Sequence, residues 1–348
     1  MWRRSNVAAV VVVFLGSCKS APVPAPQSAG RLKQVEAPVV LAAAPPLPAT
    51  PRGLAEPIAP DDNLLTPERA ELGWKLFFDK RLSKDDSTAC ARCHHIDKAY
   101  TSGNALDAKV GGAVNKRNSP TVLNLAYHAS FYWDGRAPTL EAVSNAAWKG
   151  QLGAEPASVA EKLNAIPVYK ALFIRAYSEP ASSATVPKAL ASFFRALKSG
   201  NSPWDKFSGG GDAKALTKQQ QNGQKLFFAS NCAVCHVPPM FTDSAFHVTL
   251  PTGADEGRKD ATKDEGDLGK LMTPSLRNVA LTAPYFHDGS AATLDEAIAR
   301  MAAGAVKGET REPNFREVKL SPQDVADVKA FLESLTGEST YSTEPTLP

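Results

Sequence analysis

The stretch Cys90-Ala91-Arg92-Cys93-His94 has a second copy in the chain, Cys232-Ala233-Val234-Cys235-His236. Each copy is preceded by a similar segment, LGWKLFF at residues 72–78 and NGQKLFF at residues 222–228. Each is also followed by a matching second half: SPTVLN, WDGR and TLEA lie within residues 119–142, and TPSLRN, HDGS and TLDEA lie within residues 273–297. A repeat that keeps the same order indicates one folding unit used twice.

The local sequence around both copies is typical of helices. Residues 66–68 (TPE) combine a capping side chain, a proline in the first turn and an acid beside it, which together predict a helix start. Thr217 opens the matching helix of the second copy, Thr293 with Glu296 forms a capping-box pattern, and residues 321–322 (SP) begin a last helix that ends at Gly337. No run of residues alternates as a strand would. The sequence therefore predicts an all-α protein with long loops.

The four cysteines of the repeat have a spacing with a chemical explanation. Two thiols separated by two residues can form thioether bonds with the two vinyl groups of one haem, and the adjacent histidine can then bind the iron. A thioredoxin-like redox pair would need an α/β pattern that is absent, a zinc site would need both pairs to converge or further ligands, and a disulfide would not explain the repeated histidine. We therefore expect two tandem cytochrome c-like domains, each around a covalent c-type haem. The predicted attachment residues are Cys90, Cys93 and His94 for the first haem and Cys232, Cys235 and His236 for the second.

The fifth cysteine, Cys18, follows a short basic start, an apolar run from Val7 to Leu15 and two small residues. This pattern is typical of a secretory signal and is too short for a permanent membrane span. LGSC at residues 15–18 resembles a bacterial lipoprotein cleavage box, which predicts a signal peptide at residues 1–17 and a lipid on Cys18; an ordinary signal peptide with an incidental cysteine is the alternative. The predicted location is the periplasmic side of a membrane, with the outer membrane favoured because Lys19 and not Asp follows the cysteine.

Composition divides the rest of the chain. Residues 19–60 hold ten prolines, ten alanines and no aromatic residue, so they cannot bury a core and are expected to form an extended tether. The predicted units are the lipidated cysteine with its tether at 18–60, an N-terminal haem domain at 61–205, a C-terminal haem domain at 206–337, and a flexible tail at 338–348. A net charge of +3 gives no electrostatic case for nucleic-acid binding.

The segments between the haem motifs resemble those of a known family. RNSPTVLN at residues 117–124, WDGRA at 133–137 and LRNVALTAPYFH at 276–287 are similar to sequences of the bacterial dihaem cytochrome c peroxidases and their MauG relatives. The resemblance covers about residues 62–337. It implies that the first haem meets hydrogen peroxide, which is reduced to water. It also implies that the second haem takes electrons from a carrier protein, a small cytochrome c or a cupredoxin.

The resemblance also implies roles for single residues. Met301 takes the place of the second axial ligand of the electron-accepting haem, where MauG proteins carry tyrosine; the alternative is a core methionine on the apolar helix face of Leu294, Ala297 and Ile298. Trp133 corresponds to the aromatic residue between the haems, with core packing as the alternative. Three residues match a calcium site between the domains: Asn118, Thr282 and Pro284. Members of the family are often dimers.

Two positions depart from the family pattern on the peroxide side. Val110 stands where many of these peroxidases carry a histidine that caps the first iron, and neither His95 nor His128 is expected to replace it. The first haem is therefore predicted to be five-coordinate at rest and to react without prior reduction. The usual catalytic glutamate aligns with Gln151, or with Glu155 if the alignment has a gap. An amide can hold peroxide by hydrogen bonds but is a poor proton shuttle.

Three functions remain open from the sequence. The first is a peroxidase, an oxidoreductase that reduces hydrogen peroxide. The second is a MauG-like oxidase that removes electrons from an aromatic residue of a partner protein, and the third is a dihaem electron-transfer protein without chemistry of its own. Met301 favours the first over the second, and an open site on the first haem argues against the third. His247 is expected near a haem propionate or at the surface, not on iron.

Overall fold

The computed structural model describes Met1, residues 8–13, Gly16, and residues 39–209, 211–249, 255–304 and 315–348. Residues 39–348 form one compact unit. The predicted lipid-bearing Cys18 and most of the predicted signal peptide lie outside the described residues, so those predictions are not addressed by the structure. Within the described ranges, no helix combines the length and the apolar character needed to cross a membrane.

Helices joined by long loops dominate the described residues, and the predicted all-α class is confirmed. The helices are α1 (Pro67–Phe78), α2 (Leu140–Gly150), α3 (Pro156–Asn164), α4 (Pro167–Tyr177), α5 (Thr185–Ala196), α6 (Pro203–Ser208), α7 (Lys218–Ala229), α8 (Cys232–Cys235), α9 (Lys259–Thr262), α10 (Leu294–Ala302) and α11 (Pro322–Glu333). Four strands of two residues each also form: β1 (Ser199–Gly200), β2 (Phe246–His247), β3 (Leu271–Met272) and β4 (Glu338–Ser339). β1 pairs antiparallel with β4, and β2 with β3.

The predicted helix starts are confirmed. The side chain at each start accepts a hydrogen bond from the backbone N–H three residues later, at Thr66, Thr217 and Ser321. Thr293 does the same for Glu296 at 3.2 Å. The carboxylate of Glu296, however, accepts from the backbone of Ala292 and not from that of Thr293, so the predicted capping box at α10 is only half formed.

Each half of the repeat builds its own core on one close helix crossing. α1 packs against α5 in the first half, and α7 packs against α11 in the second. A Cβ atom on Gly73 of α1 would lie 1.9 Å from the carbonyl oxygen of Ala189, and one on Gly223 of α7 would lie 1.8 Å from that of Asp327. The two glycines occupy equivalent positions of the repeat, so both crossings depend on a missing side chain.

The boundary between the halves lies earlier than predicted. The predicted division after residue 205 cuts α6, whose Trp204 packs against Phe241 and Phe331 with ring centroids 5.7 and 5.5 Å apart. Trp204 thus belongs to the second core. The second half begins at Ser202, which caps α6 by a reciprocal pair of hydrogen bonds with Asp205.

The predicted tether is not free over its whole length. Residues 39–60 form no helix and no strand and contain one turn, at residues 52–53. They are nevertheless bound to the body, since Arg175 donates to the carbonyl of Ala42 at 2.6 Å, Lys198 to the hydroxyl of Thr50 at 2.5 Å, and Tyr127 to the carbonyl of Ala55 at 2.7 Å. Side chains of the body, Arg175 and Tyr127, thus satisfy backbone carbonyls that the proline-rich sequence leaves unpaired.

The prediction of a flexible tail at residues 338–348 is wrong. Glu338–Ser339 forms β4, and Tyr341 packs on Trp74 and Phe193 of the first core. Further along, Lys75 donates to the carbonyl of Thr346 at 2.7 Å. The partly buried ring of Tyr341 makes apolar contacts that the mostly polar composition of this segment does not indicate.

Candidate functional site

The first Cys-x-x-Cys-His motif presents a histidine prepared to bind a metal. Cys90–Arg92 forms a short 3₁₀ turn, and Nδ1 of His94 lies 2.9 Å from the carbonyl oxygen of Tyr100. A carbonyl oxygen only accepts, so Nδ1 carries the hydrogen and Nε2 keeps its lone pair. Burial lowers the pKa of His94, which keeps the imidazole neutral. A neutral imidazole held through Nδ1 is what axial ligation of haem iron needs.

A cavity of about 400 Å³ adjoins this motif. Its lining includes Cys90, Cys93 and His94 together with Trp133 and Gln151, and its volume falls within the range of cofactor sites. Burial raises the pKa of the Cys90 thiol to about 12 and that of Cys93 to about 11. Such thiols are poor thiolate nucleophiles, which argues against a redox Cys-x-x-Cys pair. Both thiols are free of disulfides, and the residues fit a covalently attached haem.

The second motif repeats the arrangement. Cys232–Cys235 forms α8, and Nδ1 of His236 lies 3.0 Å from the carbonyl oxygen of Phe241. Burial lowers the pKa of His236 as well. His247 lies near Cys235, with their side-chain ligand atoms within 4.8 Å of each other. Its Nε2 forms a hydrogen bond with the carboxylate of Asp243 at 2.8 Å. The same imidazole geometry therefore supports a haem ligand in both halves.

Met301 lies in the last turn of α10 and is half-buried. The other residues of its predicted apolar face, Leu294, Ala297 and Ile298, are buried in the second core. The helix face is thus confirmed. The assignment of Met301 as an iron ligand stays a prediction.

Trp133 lies where the two halves of the repeat meet. Its indole N–H donates to the carbonyl of Asn118 at 3.0 Å, and its own carbonyl accepts from the backbone N–H of Met272 at 2.8 Å. The backbone N–H of Asn118 donates in turn to the carbonyl of His287 at 2.6 Å. In the repeat, Asn118 corresponds to Met272 and Trp133 to His287, so the two interdomain bonds are equivalent. The rings of Trp133 and His287 meet edge to face, 6.4 Å apart.

A second cavity, of about 140 Å³, lies between the halves. All three residues of the predicted calcium site line it: Asn118, Thr282 and Pro284. The Asn118 amide nitrogen donates to the carbonyls of Asn104 and Ala105, so its Oδ1 is the atom left for a cation. No carboxylate lines this cavity among the described residues. The donor set is one of neutral oxygens, which calcium accepts but binds less tightly than carboxylates.

His128 lines the same cavity, a position that the sequence did not indicate. Its Nδ1 is buried without a hydrogen-bond partner, and burial lowers its pKa to about 4. It is therefore a neutral, half-buried histidine between the halves, and the expectation that it does not cap the first iron stands as a prediction.

The candidates for proton transfer separate clearly. Gln151 lines the 400 Å³ cavity, and its amide exchanges two hydrogen bonds with the amide of Asn115, at 2.9 and 3.1 Å. Glu155 is exposed, precedes α3 and does not line the cavity. The backbone N–H of Val110 donates to the carbonyl of Gln151 at 3.0 Å. Of the two candidates, only Gln151 therefore lies where it can contact a small molecule in the cavity.

An ion-pair network lies beside the cavity, and no motif of the sequence predicts it. Arg117 donates to Asp255 through two nitrogens, both at 2.6 Å, and to Asp134 at 2.6 Å. Asp134 also accepts from Arg136 at 2.7 Å. Arg117 and Asp134 lie within the family-like segments, but their meeting with Asp255 of the second half carries no local signal.

The comparisons with known proteins agree with this geometry. Residues 67–213 match the family model described as di-haem cytochrome c peroxidase, and residues 220–336 match the model for cytochrome c. The methylamine utilization protein MauG of Methylophilus methylotrophus is 36% identical over 299 residues, covering 83% of this chain and 89% of that protein. The cytochrome c551 peroxidase of Pseudomonas aeruginosa is 33% identical, covering 82% and 83% of the two chains.

A solved structure is also similar. It is described as a MauG-like protein associated with microbial copper homeostasis, and it superposes with a TM-score of 0.76 at 30% identity over 83% of this chain and 95% of that one. The resemblance read from the motifs between the cysteines is confirmed.

Proposed function

This chain belongs to the family of bacterial di-haem cytochrome c peroxidases and MauG proteins, and from that premise we propose that it reduces hydrogen peroxide to water with electrons from a small carrier protein. The supporting observation is the cavity of about 400 Å³, whose lining includes Cys90, Cys93 and His94 together with Trp133 and Gln151. A small substrate in this cavity would lie close to the haem attachment site, to an aromatic residue and to side chains that can form hydrogen bonds with it.

We propose that each half holds its c-type haem through its own motif. Cys90 and Cys93, and equally Cys232 and Cys235, supply the thioether sulfurs, and His94 and His236 bind iron through Nε2. When bound, the two haems supply the one-electron redox chemistry that peroxide reduction requires. Met301 is proposed as the second ligand in the second half, where a thioether raises the iron potential and suits electron acceptance.

Trp133 is proposed to carry electrons between the halves. It lines both cavities, and hydrogen bonds at its indole N–H and at its backbone carbonyl hold it in place. Its ring contacts His287 across the boundary. A rigid aromatic ring in that place shortens the distance that electrons must cross. Its packing role at the interface is compatible with this one.

The open face of the first site is the second part of the proposal. Among the described residues that line the 400 Å³ cavity, there is no histidine besides His94 and no methionine. We expect the first haem to be five-coordinate in the resting ferric protein, so that peroxide binds without prior reduction. Optical and electron paramagnetic spectra of the ferric protein test this, and two low-spin haems at rest would contradict it.

Gln151 is proposed to orient the substrate. Its amide is fixed by the amide of Asn115 and can donate a hydrogen bond to peroxide, but it cannot carry a proton from one oxygen to the other. We therefore expect peroxide turnover slower than in a relative with a glutamate here.

Export, lipid attachment and calcium complete the proposal. A signal peptide at residues 1–17, a lipid on Cys18 and an outer-membrane location follow from the sequence pattern alone. Intact-mass analysis of the exported protein should show one lipid and two haems. Calcium is proposed at Asn118, Thr282 and Pro284, because these residues meet in the 140 Å³ cavity. Isothermal titration of the chelator-treated protein should show one bound calcium per chain, and Asn118→Ala should weaken it.

The second candidate function is that of a MauG-like oxidase, which the 36% identity to a MauG protein keeps in view. Steady-state oxidation of a reduced cytochrome c or cupredoxin by peroxide separates the candidates. Rapid turnover supports the peroxidase, and a long-lived oxidised state without turnover supports the oxidase. No reaction with peroxide would support a protein that only transfers electrons. A homodimer is expected from the family, and sedimentation of the holoprotein tests it.

A further inference from the structure

Residues 338–348, here named the tail strap, run from the second half of the chain back over the first. β4 pairs with β1, and the backbone N–H of Thr340 donates to the carbonyl of Lys198 at 2.8 Å. The ring of Tyr341 then lies 5.2 Å from that of Trp74 and 5.1 Å from that of Phe193, between centroids. The strap is therefore a packed part of the first core, although it follows the last helix of the second.

The tail strap also holds the side chain of Tyr100. The Tyr100 hydroxyl donates to the carbonyl oxygen of Tyr341 at 2.8 Å, and the ring is fully buried, 6.0 Å from that of Phe77. Tyr100 is also the residue whose own carbonyl accepts the hydrogen of His94 Nδ1. Two hydrogen bonds thus connect the strap to the imidazole of the first motif, with one residue between them.

The backbone between these two bonds is strained. Ala99 and Tyr100 have φ angles of 48° and 59°, in the left-handed region that residues with a Cβ avoid. Such a conformation persists only where the surroundings hold it. Thr121 holds one side by donating to the carbonyl of Ala99 at 2.6 Å, and the buried ring and hydroxyl of Tyr100 hold the other. The contacts of the Tyr100 side chain therefore act together with the backbone bond from the Tyr100 N–H to the carbonyl of His95, at 2.8 Å, to hold the Tyr100 carbonyl oxygen in place.

The second half contains the same device without the strap contact. Phe241 has a φ of 54°, and its carbonyl accepts from His236. Ser275 donates to the carbonyl of Met240 at 2.6 Å, as Thr121 does to that of Ala99. Phenylalanine has no hydroxyl, so the side chain of Phe241 itself makes no hydrogen bond that would connect this turn to another segment. The hydroxyl of Tyr100 and its acceptor in the strap distinguish the peroxide side.

We propose that Tyr100 and the tail strap are positioning elements for the first haem: through the Tyr100 hydroxyl, the strap fixes the carbonyl that orients His94 and so sets how strongly His94 donates electrons to iron. The inference rests on the proposed haem attachment at Cys90 and Cys93. A hydrogen bond from Nδ1 makes a ligating imidazole a stronger donor, and a stronger donor stabilises ferric iron. Loosening the strap raises the reduction potential of the first haem and leaves the second unchanged.

The test compares three variants of the full holoprotein by potentiometric titration of both haems. Tyr100→Phe removes the hydroxyl alone, a chain ending after Gly337 removes the strap, and a chain ending after Thr343 keeps Tyr341 as a matched control. We expect the first two to favour ferrous over ferric iron at the first haem by about tenfold, which is about 59 mV for one electron. The control and every second haem should match the unaltered protein.

The proposal is overturned if Tyr100→Phe leaves the first potential unchanged, or if both haems shift together. Should the chain ending after Gly337 not fold, Tyr100→Phe decides alone, because it removes one oxygen and keeps the strap. Intact-mass analysis that finds no haem on the first motif overturns this inference together with the proposed function. A protein with two haems, the expected shift and no peroxide turnover overturns the proposed function only.

Discussion

Gln151 shows how one side chain limits the chemistry of the first cavity. Its amide is held by Asn115 at the wall of the cavity, and the alternative candidate Glu155 does not line the cavity. A glutamine and a glutamate at this position can both hydrogen-bond a small polar substrate. Only the carboxyl group of a glutamate exchanges protons near neutral pH. The identity of this residue therefore affects rate more than binding.

Replacing Gln151 with glutamate should accelerate peroxide turnover. A positioned acid–base group contributes about 10²-fold or more to rate, and we expect kcat to rise by about tenfold because Asn115 orients the new carboxyl group without a tuned pKa. Steady-state oxidation of reduced cytochrome c measures it. Glu155→Gln is the matched control and should leave kcat unchanged. A Gln151→Glu protein no faster than the parent would show that proton transfer does not limit turnover.

His128 makes stability depend on pH. Its pKa is about 4 in the folded protein against an ordinary 6.5, so the unfolded chain takes up a proton first as the pH falls. The contribution of the neutral His128 to the free energy of unfolding is complete above about pH 6.5. It is lost progressively as the pH falls to about 4, by up to about 3 kcal/mol. Urea unfolding of the parent and of His128→Asn at about pH 7 and about pH 4.5 measures this. The variant should lose less stability between them, and an equal loss would contradict the assignment.

At the scale of elements, the two helix crossings repeat one packing solution. α1 meets α5 at Gly73, and α7 meets α11 at Gly223. The absence of a Cβ lets each pair of helices approach until one glycine faces the other helix's backbone. The motif that precedes the cysteines thus has a structural task of its own, which is to seat the helix that leads into the haem motif.

Alanine at Gly223 should destabilise the second half. Its Cβ would lie 1.8 Å from the carbonyl oxygen of Asp327, so the helices must separate, at a cost of about 2 kcal/mol. Gly150→Ala is the control, because nothing lies within 4 Å of a Cβ there, and a helical Gly→Ala change is neutral or stabilising by up to about 1 kcal/mol. Chemical denaturation of both holoproteins compares them. Equal stabilities would rule out the close crossing.

At the scale of the whole molecule, Arg117 joins the halves beside the first cavity. Burial alone would raise the pKa of Asp255, but the hydrogen bonds and charge of Arg117 outweigh it and hold that pKa below its usual range. Arg117 also pairs with the buried Asp134. One guanidinium therefore compensates a carboxylate from each half.

Arg117→Gln should lower the free energy of unfolding by about 3 kcal/mol, because the partly buried Asp255 loses its cation and the buried Asp134 keeps only Arg136. Lys162→Gln, which breaks a partly exposed pair with Asp86, is the control and should cost less than about 1 kcal/mol. Thermal unfolding followed by circular dichroism compares the two. A loss at Arg117 no greater than at Lys162 would mean that the network does not hold the halves together.

The covalent chemistry and the helical class were accessible from the sequence because both depend on neighbours. Thioether attachment needs a fixed spacing of a few residues, and helix starts such as Thr66 and Ser321 depend on contacts three residues away. The internal repeat then indicated that the same unit occurs twice. The region after α2, in contrast, needs a gap in the alignment with the family, so the sequence could not say whether Gln151 or Glu155 lies at the candidate site. The structure distinguishes them, because only Gln151 lines the cavity and Glu155 is exposed.

The sequence by itself therefore determined the two haem motifs, the all-α class and the family. Only the tertiary structure decided that residues 338–348 close over the first core, that Asp255 pairs with Arg117, and that Asn118, Thr282 and Pro284 share a cavity with His128. The reason is physical. Spacing along the chain fixes bonds within a helical turn, whereas contacts between distant segments depend on how the cores pack, which a polar tail or a lone arginine does not reveal.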